Sequence, residues 1–236
     1  MTNRVLLDNV DHHDLRVAVR HAADYGDSVN QMLIFPTEFE EMQREYPILF
    51  NRDEAGGLQP VVLLGFERDE NLFLEGEGWD AFHVPAIQRR GPFSIGLQRG
   101  DDGGDPRVMI HLDLDDPRVG DAGEALFLPH GGNAPYLTHI TDTLRTIYQG
   151  HEAVAPMFAA FDAAGLLQSI DLEIAISDAR KYRFADYYTI DQKRLAELSG
   201  DELERLNRGG YLRLAMLAAA SLGNVARLVE RKRRRT

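Results

Sequence analysis

The feature that most constrains the fold is a series of short apolar runs between residues 46 and 116, separated from one another by a few turn residues. The runs "YPILF" and "LQPVVLLGF" flank the turn-rich "NRDEAGG" and predict a hairpin. We count about five strands here, and no helix between them is long enough for the crossover that parallel strands require. The pattern therefore predicts an antiparallel sheet.

The last predicted strand of this region, "VMIHLDLD", begins at Val108. Side chains alternate along a strand, so two faces are expected. The first holds Val108, Ile110, Leu112 and Leu114, and the second holds Met109, His111, Asp113 and Asp115. Before it, "FHVPAIQRRGPFSIGLQ" predicts an extended segment broken by Pro85 and Pro92, at an edge or bulge because proline removes ladder donors. "DDGGDP", residues 101–106, predicts a turn.

The second half of the chain has a helical pattern. Asn133 is expected to cap a helix that begins at Pro135 and repeats apolar residues every three or four positions, namely Leu137, Ile140, Leu144 and Ile147. A second helix is expected to end at Gly165, and "LLQSIDLEIAI" alternates like a strand that returns to the sheet. Capping boxes are predicted for the pairs Thr37 and Glu40, Thr189 and Gln192, and Ser199 and Glu202.

The last predicted helix runs from about Tyr211 to Val229 and is apolar almost all round. Such a wide apolar surface must be covered, and we favour burial in the core over a homodimer interface on the same face. The predicted fold class is α+β, an antiparallel sheet of about five to six strands with helices packed against it and a buried C-terminal helix. We expect one domain over residues 1–236, sheet-rich over about 1–128 and helix-rich over about 133–230, with a basic tail at 231–236.

Composition narrows the classes of function. The chain contains no cysteine, which excludes disulfides, thiolate nucleophiles and sulfur-ligated zinc. Its formal net charge is −12 although Arg231 to Arg235 are all basic, so the rest of the chain is strongly acidic and nucleic acid is not an expected partner. We expect a frayed, solvated tail, with acidic lipid or nucleic acid as the alternative. No signal peptide and no window near the ~20 apolar residues of a membrane span are seen, so the expected compartment is the cytoplasm.

The stretch "HLD" raises the question of a metal site. His111 and Asp113 share a strand face and match half of the two-His, one-carboxylate triad of non-haem iron oxygenases. His139, on the outer part of a predicted helix, is the candidate second imidazole, and His130 lies in a Gly-rich turn. The competing interpretation, which we favour, is a solvated strand face, with no metal and no cofactor.

Arg89 and Arg90 form the stronger candidate site, because they lie beside aromatic and proline residues in an acidic chain. A guanidinium binds a carboxylate or phosphate through two parallel hydrogen bonds. Trp79, Phe93 and Pro85 are expected to supply an apolar wall. The alternative is an internal salt bridge or an arginine packed on an aromatic ring.

No catalytic residues are predicted. The serines include no "GxSxG" elbow, and "EAGG", "DDGG" and "PHGG" lack the "GK[ST]" ending of a phosphate loop. Adjacent side chains diverge, so "DHHD" is better explained by local capping or exposed polarity than by a metal. "DLDD" with Asp101, Asp102 and Asp105 lacks the spacing of a calcium loop.

Several stretches together resemble the bacterial SapC-like family. They are "DHHDLRV", "TEFEEMQREYPILF", "PVVLLGF", "NLFL", "GWDAFHVPAIQRRGPF", "EALF", "PYLTHITDTL", "YYTIDQKRLAEL" and "GYLRLAMLAAASLGNVARL". The most recognisable positions are Tyr46, Pro47, Phe50, Gly65, Trp79, Pro85, Arg89, Arg90, Pro92 and Phe93. The family is named for a locus that secretes a surface-layer protein, and similar genes recur beside flavin-dependent tryptophan halogenases and TonB-dependent receptors. The resemblance implies a cytoplasmic accessory protein in transport or surface-protein handling, with no catalytic residues to carry over.

These observations give three hypotheses. The first is a non-catalytic binding or accessory protein that holds a protein or peptide partner near "HVPAIQRRGPF", by offering an edge strand to an extended chain. The second is an iron-dependent oxygenase or peptide-modifying enzyme that uses His111 and Asp113. The third is a regulator that uses the basic tail on nucleic acid or membrane.

Overall fold

The fold is α+β, as predicted. The computed structural model describes residues 3–98, 107–177 and 180–235. Numbered along the chain, its strands are β1 (Arg4–Leu6), β2 (Arg16–Val17), β3 (Gln31–Leu33), β4 (Ile48–Arg52), β5 (Leu58–Leu63), β6 (Leu74–Glu75), β7 (Gly78–Trp79), β8 (Phe93–Gln98), β9 (Arg107–Asp113), β10 (Val119–Gly120), β11 (Glu124–Ala125), β12 (Leu167–Ser177) and β13 (Arg180–Ile190). Its α-helices are α1 (Phe39–Met42), α2 (Ala86–Arg89), α3 (Pro135–Ala163), α4 (Gln192–Ala196), α5 (Gly200–Arg208), α6 (Tyr211–Ser221) and α7 (Asn224–Arg234). Single 3₁₀ turns cover Ala23–Tyr25 and Pro36–Glu38.

The largest sheet has five antiparallel strands in the order β12-β13-β4-β5-β3. The predicted hairpin is confirmed as β4 and β5, in which Leu49 is paired with Val61. The predicted returning strand is confirmed as β12. Its partner β13 was not predicted, because its three basic residues, its one acidic residue and its bulge obscure the period-two alternation.

A second sheet has the order β1-β9-β8, and a small third sheet has the order β10-β2-β11. The predicted faces of β9 are confirmed where the side chains are described. Leu112 is fully buried, whereas His111 is half-buried on the opposite face. The predicted turn over residues 101–106 lies outside the described residues.

The predicted extended segment over "HVPAIQRR" is wrong. Residues 86–89 form the short helix α2, with Pro85 as its N-cap. A proline immediately before a helix needs no ladder donor, and its fixed φ suits the start of a turn as well as an edge strand. The edge strand of this region is β8, which begins only at Phe93.

Helix α3 is one helix of 29 residues with Pro156 inside it, and the prediction of two helices is wrong. Its N-cap is Ala134 rather than Asn133. Leu137, Ile140 and Leu144 pack in a smaller core beneath the second sheet, and the C-terminal half of the same helix packs in the main core. This one element therefore connects the two hydrophobic clusters.

Of the three predicted capping boxes, the one at Ser199 and Glu202 is confirmed. Helix α4 is instead capped by Asp191, which accepts a hydrogen bond from the Arg194 N–H. At the predicted box of Thr37 and Glu40, the capping hydrogen bond is made instead by Glu38, whose carboxylate accepts from the Phe35 N–H. The Thr37 hydroxyl donates to the Thr146 carbonyl of α3, so it serves a tertiary contact and not a cap.

The predicted C-terminal helix is two helices, α6 and α7, broken after Ser221. By length and composition alone, the stretch Tyr211–Arg234 is apolar enough to cross a membrane. An 18-residue window within it has a mean hydropathy of 1.4, and 28% of that window is buried. Its inward polar groups are bonded to the domain. Ser221 Oγ accepts from the Ile48 N–H, and Asn224 donates to the carbonyls of Gln43 and Tyr46. These bonds hold one face of α6 and α7 on the main core. In α6 the buried residues are Ala215, Ala218 and Ser221, so the C-terminal segment is buried on one face and not all round.

The expectation of a frayed basic tail is also wrong within the described residues. Lys232 is buried and paired with Glu67 and Glu70. Arg231 lies over the Phe73 ring and pairs with Asp80, and Arg235 donates to backbone carbonyls of residues 71 and 74. The surplus of acids in the body gives this basic segment partners on its own chain.

Candidate functional site: the Arg89 cleft

Arg89 is held in place by a helix that a buried carboxylate fixes. Pro85 and Ala86 are buried, and Glu38 Oε1 accepts a hydrogen bond from the Ala86 N–H at 2.6 Å. Because α2 spans only four residues, this bond sets the direction of its last turn, which carries Arg89. Gly91 then adopts a φ of 55°, a left-handed conformation that glycine takes without the strain of a side chain.

Arg89 lines a cleft of about 140 Å³. The cleft lies between the segment that follows β2, the end of α2 and the first turn of α3. Its polar and titratable side chains are Arg20, His21, Gln88, Arg89, Arg118, Tyr136 and His139. We call it the Arg89 cleft. In a chain with a net charge of −12, these side chains include three arginines and no acid.

The Arg89 guanidinium has no partner for hydrogen bonding or ion pairing in the part of the chain that the structure describes. Its Nε is buried and unbonded. The charge acts on the Glu38 carboxylate, where it opposes the burial that raises the pKa of Glu38, but the two groups form no ion pair. A buried donor without a partner costs about 1–3 kcal/mol, so an acceptor that reached the Arg89 Nε would relieve that cost.

The Arg118 guanidinium, in contrast, is mostly bonded within the protein. Its Nε and Nη2 donate to the two carboxylate oxygens of Asp116 at 2.9 and 2.7 Å, and its guanidinium stacks 5.1 Å from the Tyr25 ring centroid. Burial disfavours its charge, yet the bonds to Asp116 raise the pKa of Arg118 overall. Its Nη1 makes no hydrogen bond to any described residue, so one donor remains on a rigid arginine.

Tyr136, in the first turn of α3, supplies another donor. Burial raises the pKa of its hydroxyl to about 12, against the opposing effect of Arg118, so the hydroxyl keeps its proton at neutral pH. It makes no hydrogen bond to the described residues. The first turn of a helix also carries the positive end of the helix dipole, which adds to the positive potential of the cleft.

His21 is oriented by a buried acid and by the tryptophan. Its Nδ1 lies 3.5 Å from Asp27 Oδ2, without hydrogen-bond geometry, and the Asp27 side chain is fully buried. The His21 ring meets the Trp79 ring edge-on, with centroids 5.5 Å apart. With Nδ1 turned toward Asp27, Nε2 is the ring nitrogen left for a ligand.

The other residues predicted for the site lie outside the cleft. Arg90 donates to the Phe93 carbonyl at 2.5 Å. Its pKa is lowered mainly by burial and further by the nearby charges of Arg4 and Arg118. Phe93 is fully buried in the smaller core. Trp79 donates to Tyr46 Oη at 2.8 Å and reaches the cleft only through His21. Of the predicted five, only Arg89 lines the cleft, and Pro85 is the N-cap of the helix that carries it.

The structure does not bring the proposed iron ligands together. Among the residues described, no group of three or more His, Asp and Glu side chains is placed to hold a metal ion. The His111 ring lies over Gly96 of the neighbouring strand, where a Cβ would collide with it. His139 lines the Arg89 cleft instead. The strand alternation correctly placed His111 beside Asp113, but it carries no information about the distant helix.

His21, Asp27, Arg118 and Tyr136 were not predicted for the site. They lie far from Arg89 in the sequence and meet only after β2, α2 and α3 pack together. A partial signal was present in "DDPRV", where Asp116 precedes Arg118 by two residues. That spacing favours a local ion pair, but not its position beside Arg89.

A larger open cavity of about 710 Å³ lies beside α7, lined by Arg227, Arg231, Arg234, Arg235 and three acids. Arg231 is paired with Asp80, and Arg227 donates to the Arg44 carbonyl. Arg235 donates to two backbone carbonyls. Three of the four arginines are therefore bonded within the chain, and the Arg89 cleft is the better candidate.

Comparison with known proteins identifies a family. A family model described as SapC matches residues 7–228, nearly the whole chain. Neither a curated protein nor a solved structure matches the sequence.

Proposed function

This chain belongs to the SapC family, and from that premise we propose that it is a non-catalytic binding protein whose Arg89 cleft holds an anionic group of a protein or peptide partner. The cytoplasmic location and the accessory role in transport or surface-protein handling that the family resemblance implies are part of this proposal. A homodimer is compatible with it, since Met216 of α6 is 52% exposed.

One observation carries the proposal, namely the unpartnered guanidinium of Arg89. Acids outnumber basic residues by 38 to 26 in this chain, and most described arginines of the protein find a carboxylate or a carbonyl. Arg89 finds neither, although its Nε is removed from solvent. Electrostatic attraction in a partly desolvated cleft is stronger than at an exposed surface, so an arriving anion gains more here than beside a surface arginine.

The test uses the only tryptophan of the chain. Because the Trp79 ring contacts His21, its fluorescence should report on occupancy of the cleft. We expect a saturable change on titration with inorganic phosphate or with a short acidic peptide. Arg89→Ala should abolish the change with little effect on the melting temperature, since the side chain makes no bond within the described protein.

The matched control is Arg68→Ala, which removes the same charge from an exposed side chain. It should bind like the unaltered protein. Equal binding by Arg89→Ala, or no response to either anion, would contradict the proposed function. A large loss of melting temperature in Arg89→Ala would show instead that the arginine is structural.

A further inference from the structure

We propose that the group held in the Arg89 cleft is the C-terminal carboxylate of an extended polypeptide. This inference rests on the proposed function and narrows it to one ligand chemistry. Three properties of the cleft point to it: its donors, its charge balance and its size. The neighbouring backbone adds a fourth.

Three charged or hydroxyl groups of the cleft are donors without a partner, and the Gln88 amide beside them offers both a donor and an acceptor. The Arg89 guanidinium, Arg118 Nη1 and the Tyr136 hydroxyl all lack partners among the described residues, and the tyrosine keeps its proton. An ionised carboxylate accepts hydrogen bonds at both oxygens and donates none. It therefore matches a cleft with N–H and O–H groups to satisfy, and a neutral amide, which must also place an NH₂ group, matches it less well.

The charge balance fits a single negative charge. The charge of Arg118 is neutralised by Asp116. Arg20 forms an ion pair with Glu77, with 3.3 Å between Nη1 and Oε1. His21 faces the buried Asp27. Within the described cleft this leaves Arg89 as the cation with no ion-pair partner. A carboxylate neutralises it, whereas a phosphate dianion brings one charge too many.

The size fits the end of a chain and not a whole small molecule. Pockets for drug-sized ligands measure about 300–1,000 Å³, and this cleft measures about 140 Å³. The remainder of the ligand must therefore lie outside. Val19, at the rim, is 60% exposed and offers apolar surface to the last side chain of the ligand.

The backbone beside the cleft favours a main-chain terminus over an aspartate or glutamate side chain. The Ala18 N–H bonds to the Arg118 carbonyl, and the His21 N–H bonds to the Glu77 carbonyl. Between them, the N–H and C=O of Val19 make no hydrogen bond to the described protein. A strand that ends in the cleft can pair with Val19 while its carboxylate meets Arg89, which combines strand addition with carboxylate capture.

The experiment compares one peptide in two forms. The probe is a hexapeptide of alternating serine and alanine that ends in valine, prepared as the free acid and as the C-terminal amide. We expect the acid to bind at least about tenfold more tightly than the amide, a difference of about 1.4 kcal/mol. In Arg89→Ala the acid-to-amide ratio should fall to about one, because the preference depends on that charge.

Two further variants separate binding from folding. Tyr136→Phe removes one donor and keeps the ring, and it should lower the acid-to-amide ratio without changing the melting temperature. Arg89→Lys keeps the charge and loses the two-point geometry, so its ratio should lie between those of the unaltered protein and Arg89→Ala. A ratio that stays constant in all three variants would overturn the inference.

The remaining outcomes distinguish this inference from the proposed function. Amidated peptide with an internal glutamate that binds as tightly as the acid would overturn terminal recognition and leave anion binding intact. Arg89-dependent binding of inorganic phosphate with no response to the peptide acid would do the same. No Arg89-dependent binding of any probe would overturn both.

Discussion

Glu38 is the buried acid on which the position of Arg89 depends. Its side chain is 1% exposed, and its two carboxylate oxygens accept hydrogen bonds from the N–H groups of Phe35 and Ala86. Burial raises the pKa of Glu38 to about 7, and the two backbone bonds and Arg89 act in the opposite direction. One carboxylate thus joins the turn before α1 to the helix that carries the candidate site.

This raised pKa predicts a pH dependence of stability. The folded protein binds the proton more tightly than the unfolded chain, whose reference pKa is 4.5. The corresponding contribution to the free energy of unfolding is fully present below pH 4.5 and is lost as the pH rises through about 7. We expect a decrease of up to about 3 kcal/mol from this group, measurable by urea denaturation across that range.

Glu38→Gln is the control, because its amide does not titrate. The difference in unfolding free energy between the two proteins should change between pH 4.5 and 7 and be constant above that range. A difference that is independent of pH would show that Glu38 stays ionised throughout, held by its two backbone donors.

At this scale the sequence revealed Arg89 but not its surroundings. An arginine beside prolines in an acidic chain was recognisable from residue types alone. The helical turn at residues 86–89 directs Arg89 into the cleft and lets Arg90 donate to a carbonyl three residues further on. The prolines in this segment were equally consistent with an extended conformation. Asp27 and Tyr136 carry no local sign of their role.

Helix α3 shows how one residue decides the packing of an element. Gly150 is buried in the middle of the helix, where a Cβ would lie 2.6 Å from Thr37 Oγ1 and closer still to the Phe35 side chain. The helix can approach the turn at residues 35–38 only because no side chain stands between them. That turn carries Glu38, so the packing of α3 also supports the Arg89 cleft.

Gly150→Ala should therefore destabilise the protein. In an open helix the same change stabilises by about 1 kcal/mol, but here the forced separation should cost about 1–3 kcal/mol net. The measurement is the midpoint of thermal or urea unfolding. Gly200→Ala, in the first turn of α5 with open space around it, should leave stability unchanged or slightly raised, and a stabilised Gly150→Ala would refute the close packing.

The elements that were predicted correctly are those with the strongest local sequence patterns. The β4–β5 hairpin has two apolar runs around a glycine turn, and α5 has its capping box. The continuity of α3 was not predicted. The helix passes through Pro156, which removes one backbone hydrogen bond, and burial of Met157, Phe158 and Phe161 in the main core favours its continuation. Tertiary packing of this kind leaves no signal in a short window of sequence.

For the molecule as a whole, the surplus of acids explains why the basic C-terminus is ordered. Lys232 lies in α7 with its side chain 8% exposed, and its ammonium pairs with Glu67 at 2.9 Å and with Glu70 at 2.5 Å. Burial opposes its charge, but the bonds to Glu70 and Glu67 raise its pKa. The end of the chain is thereby fastened to the loop between β5 and β6.

Lys232→Met should destabilise the protein by about 2 kcal/mol, less than for a fully buried pair because Glu67 is half exposed. Arg234→Ala is the control, since that exposed side chain has no partner within the described residues, and it should be neutral. Urea denaturation at pH 7 measures both. Equal and negligible effects would mean that the tail is solvated after all, as the sequence alone suggested.

The most direct measurement is a crystal structure of the protein with the serine-alanine-valine hexapeptide acid at saturating concentration. The account predicts the terminal carboxylate within about 3 Å of the Arg89 guanidinium and Arg118 Nη1, with the peptide backbone beside Val19. A peptide bound elsewhere, or Arg89 paired with a carboxylate of its own chain while the peptide stays in solution, would contradict it.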